Sequence, residues 1–146
     1  HTEKMAFAVA EGAKQVNGID VIVKKAGETT NEDLLNADGI IIGSPTYYGQ
    51  MSKKIKDLFD KSVKIHGKLE GKVGGAFTSS GGIASGAETT LLSILCAMLI
   101  HGMIIQGRSD TKHYGAASVG SLKDSDIKNC QTLGKRVANL IKKLKA

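Results

Sequence analysis

Several residue types that shape folds and sites are scarce in this chain. Its 146 residues include no tryptophan, a single proline and two cysteines, and aromatic residues make up only 4%. No run of about eighteen apolar residues occurs, and the first residues lack the basic-then-apolar pattern of a signal peptide. We therefore expect neither membrane insertion nor secretion, and we assign the protein to the cytoplasm.

The two cysteines do not form a metal-binding pattern. Cys96 lies in an apolar helical stretch and Cys130 in the last amphipathic segment, and their spacing suits no metal site. Both occupy positions typical of small core residues. We expect both thiols to be reduced and structural, and we predict no bound metal.

The net charge of +6 raises the possibility of a nucleic-acid partner. The lysines, however, are spread over several predicted helices, and aromatic residues are not interleaved with them as they are in single-strand binders. We interpret the basic residues as a solvated exterior and expect no nucleic-acid partner.

The hydrophobic periodicity predicts one α/β domain over residues 1–146, large enough for its own core. Apolar residues recur at helical spacing in five segments, which are residues 2–16, 31–37 with Asn31 as cap, 50–65, 87–101 and 124–145. Shorter runs predict four strands, at residues 19–23, 40–42, 73–78 and 103–106. Alternation of this kind is typical of a three-layer, doubly wound fold with a parallel sheet.

One strand is missing from this pattern. A doubly wound domain normally begins with a strand, whereas the sequence as it stands begins with a helix and has four predicted strands where five are usual. We expect that a first strand and its loop are absent from this sequence.

The segment GIIIGSPTYYG, residues 39–49, holds the strongest sign of a binding site. Ile40 to Ile42 form a β-branched run that is typical of a strand buried on both faces, and the run stops at Gly43. In an open α/β sheet, ligands bind at loops that leave the carboxyl ends of the strands. The adjacent Tyr47 and Tyr48 indicate a flat ligand.

Five segments carry a family resemblance, in order and spacing: HTEKMAFAVAEGA at 1–13, GIIIGSPTYYGQMSKKIKDLFD at 39–60, AFTSSGG at 76–82, IHGMII at 100–105 and HYGA at 113–116. The chain resembles the flavodoxin-like proteins of the WrbA type, which are FMN-binding NAD(P)H:quinone oxidoreductases. The resemblance implies the strand order 2-1-3-4-5, with the absent first strand in the centre.

The resemblance also implies the parts of a flavin site. The residues matching the end of the phosphate loop are His1 and Thr2, although Thr2 could serve only as a helix cap. The loop along the isoalloxazine ring matches Pro45, Thr46, Tyr47, Tyr48 and Gly49. The loop at the pyrimidine edge matches Thr78, Ser79, Ser80, Gly81 and Gly82. On the alternative interpretation, one tyrosine packs on the rim of the core, the other faces solvent, and the glycines only make a flexible connection.

Two further residues belong to the implied site. His101 matches a family histidine near the flavin, often supplied across a subunit contact, and it could instead be a charged residue at a helix end. Tyr114, in the loop after the last predicted strand, could line the substrate mouth or anchor that loop. We name His101 and Tyr48 as candidate catalytic residues.

The function implied by the resemblance is two-electron reduction of quinones by NAD(P)H, with FMN as cofactor. Family members of this type form tetramers, and we expect a dimer or tetramer. One alternative is a flavodoxin that carries electrons between proteins, although such carriers are usually acidic. A second alternative is an α/β interaction module that has lost its flavin.

Overall fold

The computed structural model describes residues 1–146 and contains five α-helices and four β-strands. In chain order these are α1 (Thr2–Lys14), α2 (Asn31–Asn36), β1 (Gly39–Pro45), α3 (Lys53–Lys61), β2 (Val73–Ser80), α4 (Ala87–Ile100), β3 (Ile104–Ile105), β4 (Ala116–Val119) and α5 (Asp124–Lys145). Two short 3-10 segments, Ala26–Glu28 and Ser62–Ile65, complete the list.

Strand β2 is the centre of a wholly parallel sheet. On one side it pairs along nearly its whole length with β1, from Gly39 opposite Val73 to Pro45 opposite Ser79. On the other side β3 pairs with the first residues of β2, and β4 pairs with its last four. Strands β3 and β4 occupy the same position beside β2. Counted as one strand, they correspond to the fifth strand of the predicted order 2-1-3-4-5, while β1 and β2 correspond to the third and fourth. The carboxyl ends of β1, β2 and β4 meet at one edge.

Helices cover both faces of this sheet, which confirms the three-layer α/β architecture. Helices α3 and α4 pack on one face, where Ile94 and Met98 are fully buried against residues of β1 and β2. Helices α1 and α5 pack on the other face, where Met5 and Cys130 are fully buried beside Phe77. The strand β2 is buried on both sides because each face has its own apolar cluster.

Two glycines bring α1 and α5 into backbone contact. A Cβ atom on Gly12 would lie 1.8 Å from the carbonyl oxygen of Gln131, and a Cβ atom on Gly134 would lie 1.9 Å from that of Val9. No side chain fits at either position without separating the helices. The helix that begins at the carboxyl edge is therefore held directly against α5.

The prediction of a strand at residues 19–23 is wrong. These residues form no strand, and the side chains of Ile22 and Val23 are 81% and 42% exposed. A β-branched run becomes a strand only where a neighbouring strand satisfies its backbone hydrogen bonds. No such neighbour lies beside residues 19–23 here, and the outer edge of β1 likewise has no partner strand.

Several predicted boundaries also differ from the structure. Thr30 caps α2 instead of Asn31, since its hydroxyl accepts from the Asp33 amide and the Asp33 carboxylate accepts from the Thr30 amide. Helix α3 begins three residues later than predicted because Ser52 caps it.

The two cysteines differ in exposure. Cys130 is buried, whereas Cys96 is exposed, so the predicted core position of Cys96 is wrong. None of the helices has the length and apolarity needed to cross a bilayer.

Candidate functional site

Three segments that are distant in sequence meet at the carboxyl edge of the sheet. The Thr46 amide, just after β1, donates to the carbonyl oxygen of Ser79 at 2.8 Å. The Ser79 hydroxyl lies 2.9 Å from that of Thr2, the first residue of α1. The structure therefore brings together the candidates for the phosphate loop, the ring loop and the pyrimidine loop.

The segment Tyr47–Gln50, here called the tyrosine turn, closes on itself by two backbone hydrogen bonds between Tyr47 and Gln50, of 3.1 and 3.0 Å. Its central residues, Tyr48 and Gly49, have φ values of 52° and 71°. Positive φ at both central residues is the feature of a type I′ turn, which favours Asn-Gly. A tyrosine at this position carries strain of about 1–3 kcal/mol, a cost that persists mainly at functional sites.

The strained residue is also the most exposed aromatic residue of the chain. Tyr48 is fully exposed and Tyr47 is 59% exposed, although only Thr46 separates them from β1, whose residues are all buried or partly buried. The alternative interpretation requires one of the two tyrosines to pack on the rim of the core, and neither ring does so. The turn thus offers two free ring faces at the carboxyl edge.

A buried chain of hydroxyl groups supports the tyrosine turn. Thr78 donates its hydrogen to the carbonyl oxygen of Ser44 at 2.7 Å, so its oxygen accepts from the Thr46 hydroxyl at 2.8 Å. Ser44 donates to the Pro45 carbonyl oxygen and accepts from the Ser52 amide. Because Ser44 and Thr78 are fully buried, Thr78 positions Thr46 rather than facing a ligand. The serine was missed, since a serine inside an apolar strand carries no distinctive signal.

The segment Gly81–Gly86, here called the glycine loop, contacts the tyrosine turn. Gly86 has a φ of 102°, and a Cβ atom there would lie 2.6 Å from the Cα atom of Gly49. The hydroxyl groups of Ser80, at the end of β2, and of Ser85, in the loop, both donate to the Gly82 carbonyl oxygen. Ile83, which sequence reasoning did not single out, is 90% exposed. The sequence did carry a signal for Ile83, because it is the one large apolar residue in an otherwise small and polar loop.

The first turn of α1 presents free backbone amides at the same edge. His1 is the N-cap residue and its side chain makes no capping hydrogen bond. The first backbone bond of the helix runs from the Met5 amide to the His1 carbonyl oxygen, so the amides before Met5 have no helical acceptor. The interpretation of Thr2 as the cap is wrong, because it is already helical. Free amides and the positive end of the helix dipole suit an anion.

His101 is not brought to this edge within one chain. Helix α4 runs away from the carboxyl edge, and His101 ends it close to β3, which pairs with the start of β2. Its Nε2 atom lies 2.7 Å from the Ser62 hydroxyl, whose own hydrogen is donated to the Phe59 carbonyl oxygen. Nε2 therefore carries the proton, and Nδ1 is a buried acceptor without a partner. Burial, and next the nearby His66, lower the pKa of His101.

Tyr114 also lies apart from the other candidates. It is 47% exposed and precedes β4, a strand that the sequence did not predict, so its loop joins two strands instead of following the last one. The side chain lines a cavity of about 30 Å³ together with Arg108 and Arg136. The cavity lies beside Gly74 and Gly75 in the first half of β2, away from the carboxyl ends of β1 and β2.

The assembled edge has the chemistry of a binding site. It combines exposed aromatic rings, backbone amides, hydroxyl groups and a helix N-terminus, and it contains no nucleophile paired with a base. Two carboxyl groups outside this edge have lowered pKa values. The pKa of Asp33 is lowered mainly by the hydrogen bond from Lys24, and that of Asp110 mainly by the hydrogen bond from Arg108, each within an ion pair. A flat, anionic ligand fits these groups. With the sheet order, this arrangement defines a flavodoxin-like protein.

The comparisons with known proteins name the family. Residues 8–113 match the family described as NADPH-dependent FMN reductase. A flavodoxin of Aquifex aeolicus is 40% identical over 97% of this chain and 80% of its own length. An NAD(P)H dehydrogenase (quinone) of Archaeoglobus fulgidus is 38% identical over 99% of this chain and 93% of its own length. The chain belongs to the NADPH-dependent FMN reductase family.

A solved structure agrees with this assignment. The crystal structure of a WrbA-like flavodoxin from Agrobacterium tumefaciens superposes with a TM-score of 0.81 at 29% identity, and it covers 98% of this chain and 90% of that one. The flavodoxin-like fold is thereby confirmed, together with the resemblance to the WrbA type.

Proposed function

We propose that this protein binds FMN at the carboxyl edge and reduces quinones by two electrons with NAD(P)H as donor. The observation that carries the proposal is the tyrosine turn, where a fully exposed Tyr48 is held at a positive φ against the glycine loop. Strain and exposure of an aromatic residue are both unfavourable in the free protein. A stacked planar ligand compensates for both.

The residues present fit FMN. The free amides of α1 with His1 and Thr2 would hold the phosphate, and Thr46 to Gly49 with Ser79 to Gly82 would hold the ring system. FMN would supply the redox chemistry, which is acceptance of a hydride from NAD(P)H and two-electron reduction of a quinone to the quinol, with the second proton coming from solvent. The relatives named flavodoxin and NAD(P)H dehydrogenase (quinone) support this choice.

The chain itself contributes position and shielding. The buried Thr78 orients Thr46 through the hydroxyl chain, and the Gly49–Gly86 contact holds the two loops together. Tyr47 and Tyr48 would flank the ring and exclude water from it, so Tyr48 remains a candidate catalytic residue. His101 could act only across a subunit contact, as part of the dimer or tetramer that we propose.

The proposal is tested by reconstitution. Purified protein incubated with FMN and passed through a desalting column should keep the yellow flavin, and NADPH should then reduce benzoquinone in air. Tyr48→Asn removes the ring and suits the positive φ, so we expect about tenfold weaker FMN binding without loss of stability. Tyr114→Asn, away from the edge, is the matched control and should change nothing.

The electron-carrier function is the second candidate, favoured by the name of the Aquifex aeolicus relative. Bound flavin without benzoquinone turnover would favour the carrier. A protein that stays colourless with excess FMN would contradict both redox functions and leave the interaction module.

The setting is also part of the proposal. We propose a cytoplasmic protein, because two free thiols without a disulfide suit a reducing compartment. We propose no nucleic-acid or membrane partner, since the lysines are solvated and dispersed. In a gel-shift experiment we expect no DNA binding at low or at high salt concentration.

A further inference from the structure

One isoleucine at the carboxyl edge has no packing role within the chain. Ile83 lies in the glycine loop and is 90% exposed, more than any other large aliphatic side chain. Burying an isoleucine is favourable, and nearly full exposure forgoes that gain. Single exposed apolar residues are ordinary on a protein surface. Two features of its surroundings distinguish Ile83 from such residues.

The first feature is that the backbone on both sides of Ile83 is held in place. Before it, the Gly82 carbonyl oxygen accepts hydrogen bonds from the hydroxyl groups of Ser80 and Ser85. After it, Ala84 has a φ of 55°, a left-handed conformation that a residue with a Cβ atom adopts only against strain. Strain of this kind persists where the surroundings fix the backbone, and it clusters at ligand-binding sites. The loop therefore presents Ile83 in a defined position.

The second feature is the place of Ile83 beside the proposed ring site. Gly82 belongs to the segment that would hold the ring system, and the Cα atom of Ile83 follows at about 3.8 Å. The contact of Gly86 with Gly49 keeps the glycine loop against the tyrosine turn, where Tyr48 is fully exposed. One loop thus offers an aromatic ring at this edge, and the other offers an aliphatic side chain.

The chemistry around Ile83 favours an apolar group of the ligand. Residues 77–87 include no charged side chain, so nothing in this loop pairs with a charged substituent. The hydride donor NAD(P)H is a dinucleotide with charged phosphates, whereas a quinone carries uncharged substituents on a flat ring. An isoleucine contacts alkyl groups through dispersion and through burial of apolar surface. Of the two substrates, the quinone is the one that suits Ile83.

We propose that Ile83 determines substrate specificity by contacting the alkyl substituent of the quinone, a role that rests on the proposed quinone reductase function and makes alkylated quinones the preferred class. Ile83 takes no part in electron transfer. It binds the substituent while the quinone ring lies at the flavin. Each methylene group buried in such a contact strengthens binding by roughly fourfold, so two methylene groups are worth more than about tenfold.

The first experiment compares two quinones that differ only in an alkyl tail, tail-free dimethoxymethylbenzoquinone and decylubiquinone, in the same detergent. With FMN-loaded protein and excess NADPH, wild type should have a kcat/KM about tenfold higher for the tailed quinone. Ile83→Ser should remove most of this preference by raising KM for the tailed quinone without lowering kcat, as expected for a contact made equally in ground and transition states. Ile83→Leu keeps an aliphatic side chain and should retain the preference.

The matched control is Val63→Ser. Val63 is 70% exposed and follows the end of α3, away from the carboxyl edge. This variant removes an exposed aliphatic side chain just as Ile83→Ser does, and it should keep the wild-type ratio of the two kcat/KM values. Since both side chains are exposed, all variants should melt at the wild-type temperature.

A second measurement needs no turnover. Calorimetric titration with decylubiquinone in the presence of FMN should show about tenfold weaker binding to Ile83→Ser than to wild type. A tail preference that survives Ile83→Ser, or equal use of both quinones by wild type, would overturn the role of Ile83 and leave the quinone reductase function standing. Absence of turnover with either quinone would instead contradict that function. In that case, equal dissociation constants of wild type and Ile83→Ser would overturn the role of Ile83 as well.

Discussion

At the scale of single residues, His101 makes the stability of the fold depend on pH. Its pKa is lowered by burial and by His66, and its Nδ1 atom has no partner to stabilise a proton. The unfolded chain takes up a proton near its ordinary pKa of about 6.5, whereas the folded chain does so only at lower pH. Stability contributed by neutral His101 is therefore complete above pH 6.5 and is lost as pH falls below it.

The measurement is the midpoint of urea unfolding at pH 8, 7, 6 and 5. We expect the wild-type free energy of unfolding to fall by at most about 1.4 kcal/mol per pH unit below 6.5 from this group. His101→Gln keeps a donor for Ser62 and should flatten that slope, while His113→Gln, at an exposed site, should not. Equal slopes in all three proteins would contradict this assignment.

Cys130 should be unreactive for a related reason. Burial, and next the charge of Asp126, raise the pKa of its thiol to about 12, and its side chain has no exposed surface. Only the thiolate attacks thiol reagents, and at pH 8 its fraction is roughly one in ten thousand. In the Cys96→Ser protein, Ellman's reagent should therefore detect no thiol before unfolding and one thiol in guanidinium chloride. Rapid labelling of the folded variant would show that the α1–α5 layer opens easily.

At the scale of elements, the crossing of α1 and α5 depends on two glycines. Alanine is favoured over glycine inside helices by about 1 kcal/mol, so propensity alone predicts stabilisation of Gly134→Ala. The added Cβ atom, however, would meet the Val9 carbonyl oxygen at 1.9 Å, and backbone cannot move aside cheaply. Overpacking costs typically 1–3 kcal/mol, and here the helices must separate along their contact.

We therefore expect Gly134→Ala and Gly12→Ala each to lower the free energy of unfolding by about 1–3 kcal/mol. The comparison is Gly27→Ala, where nothing lies within 4 Å of the added atom and little change is expected. Thermal unfolding followed by circular dichroism should show melting points lowered by several degrees for the first two. Unchanged melting points would mean that α1 is not held against α5 as described.

The same elements show what sequence alone could and could not predict. Helix α5 and strand β2 were predictable because α5 has a strong helical period and β2 begins with the uncharged run VGGAF, which leads into a polar, glycine-rich loop. Strand β4 was missed because Ala116 and Ser118, its buried residues, have small side chains without hydrophobic contrast. For residues 19–23 the error is the opposite one. Their β-branched side chains favour a strand, but no neighbouring strand is present to pair with them.

The candidate site divides along similar lines. The tyrosine turn and glycine loop were found because aromatic and glycine residues directly follow predicted buried strands. The exposed positions of α4, which include Leu92, Leu99 and Ile100, were not predicted. A helix that is apolar on all sides does not indicate which of its faces is covered. That ambiguity also misplaced Cys96. The separation of His101 from the edge depends on the direction in which α4 runs, which only the assembled fold shows.

At the scale of the whole molecule, the carboxyl edge brings the first turn of α1 next to the loops after β1 and β2. Helix α1 reaches the edge through Thr2, and β2 reaches it through Ser79, with 2.9 Å between their hydroxyl groups. A ligand bound there would contact the first turn of α1, which is held against α5, as well as the loops after β1 and β2. Binding should therefore stabilise the whole fold and not one loop.

The comparison of FMN with riboflavin separates the two halves of this edge. Ligand at one hundred times its dissociation constant stabilises a protein by about 2.7 kcal/mol, or roughly 5–10 °C for a chain of this size. Riboflavin lacks the phosphate, so we expect it to raise the melting point less than FMN at equal concentration. Thr2→Val should reduce the FMN shift more than the riboflavin shift, because only the phosphate uses the N-terminus of α1, whereas the lost hydrogen bond to Ser79 affects both ligands. Thr111→Val, at an exposed position away from the edge, should change neither shift. Equal shifts with both ligands would place the phosphate outside α1 and limit the site to the tyrosine turn and the glycine loop.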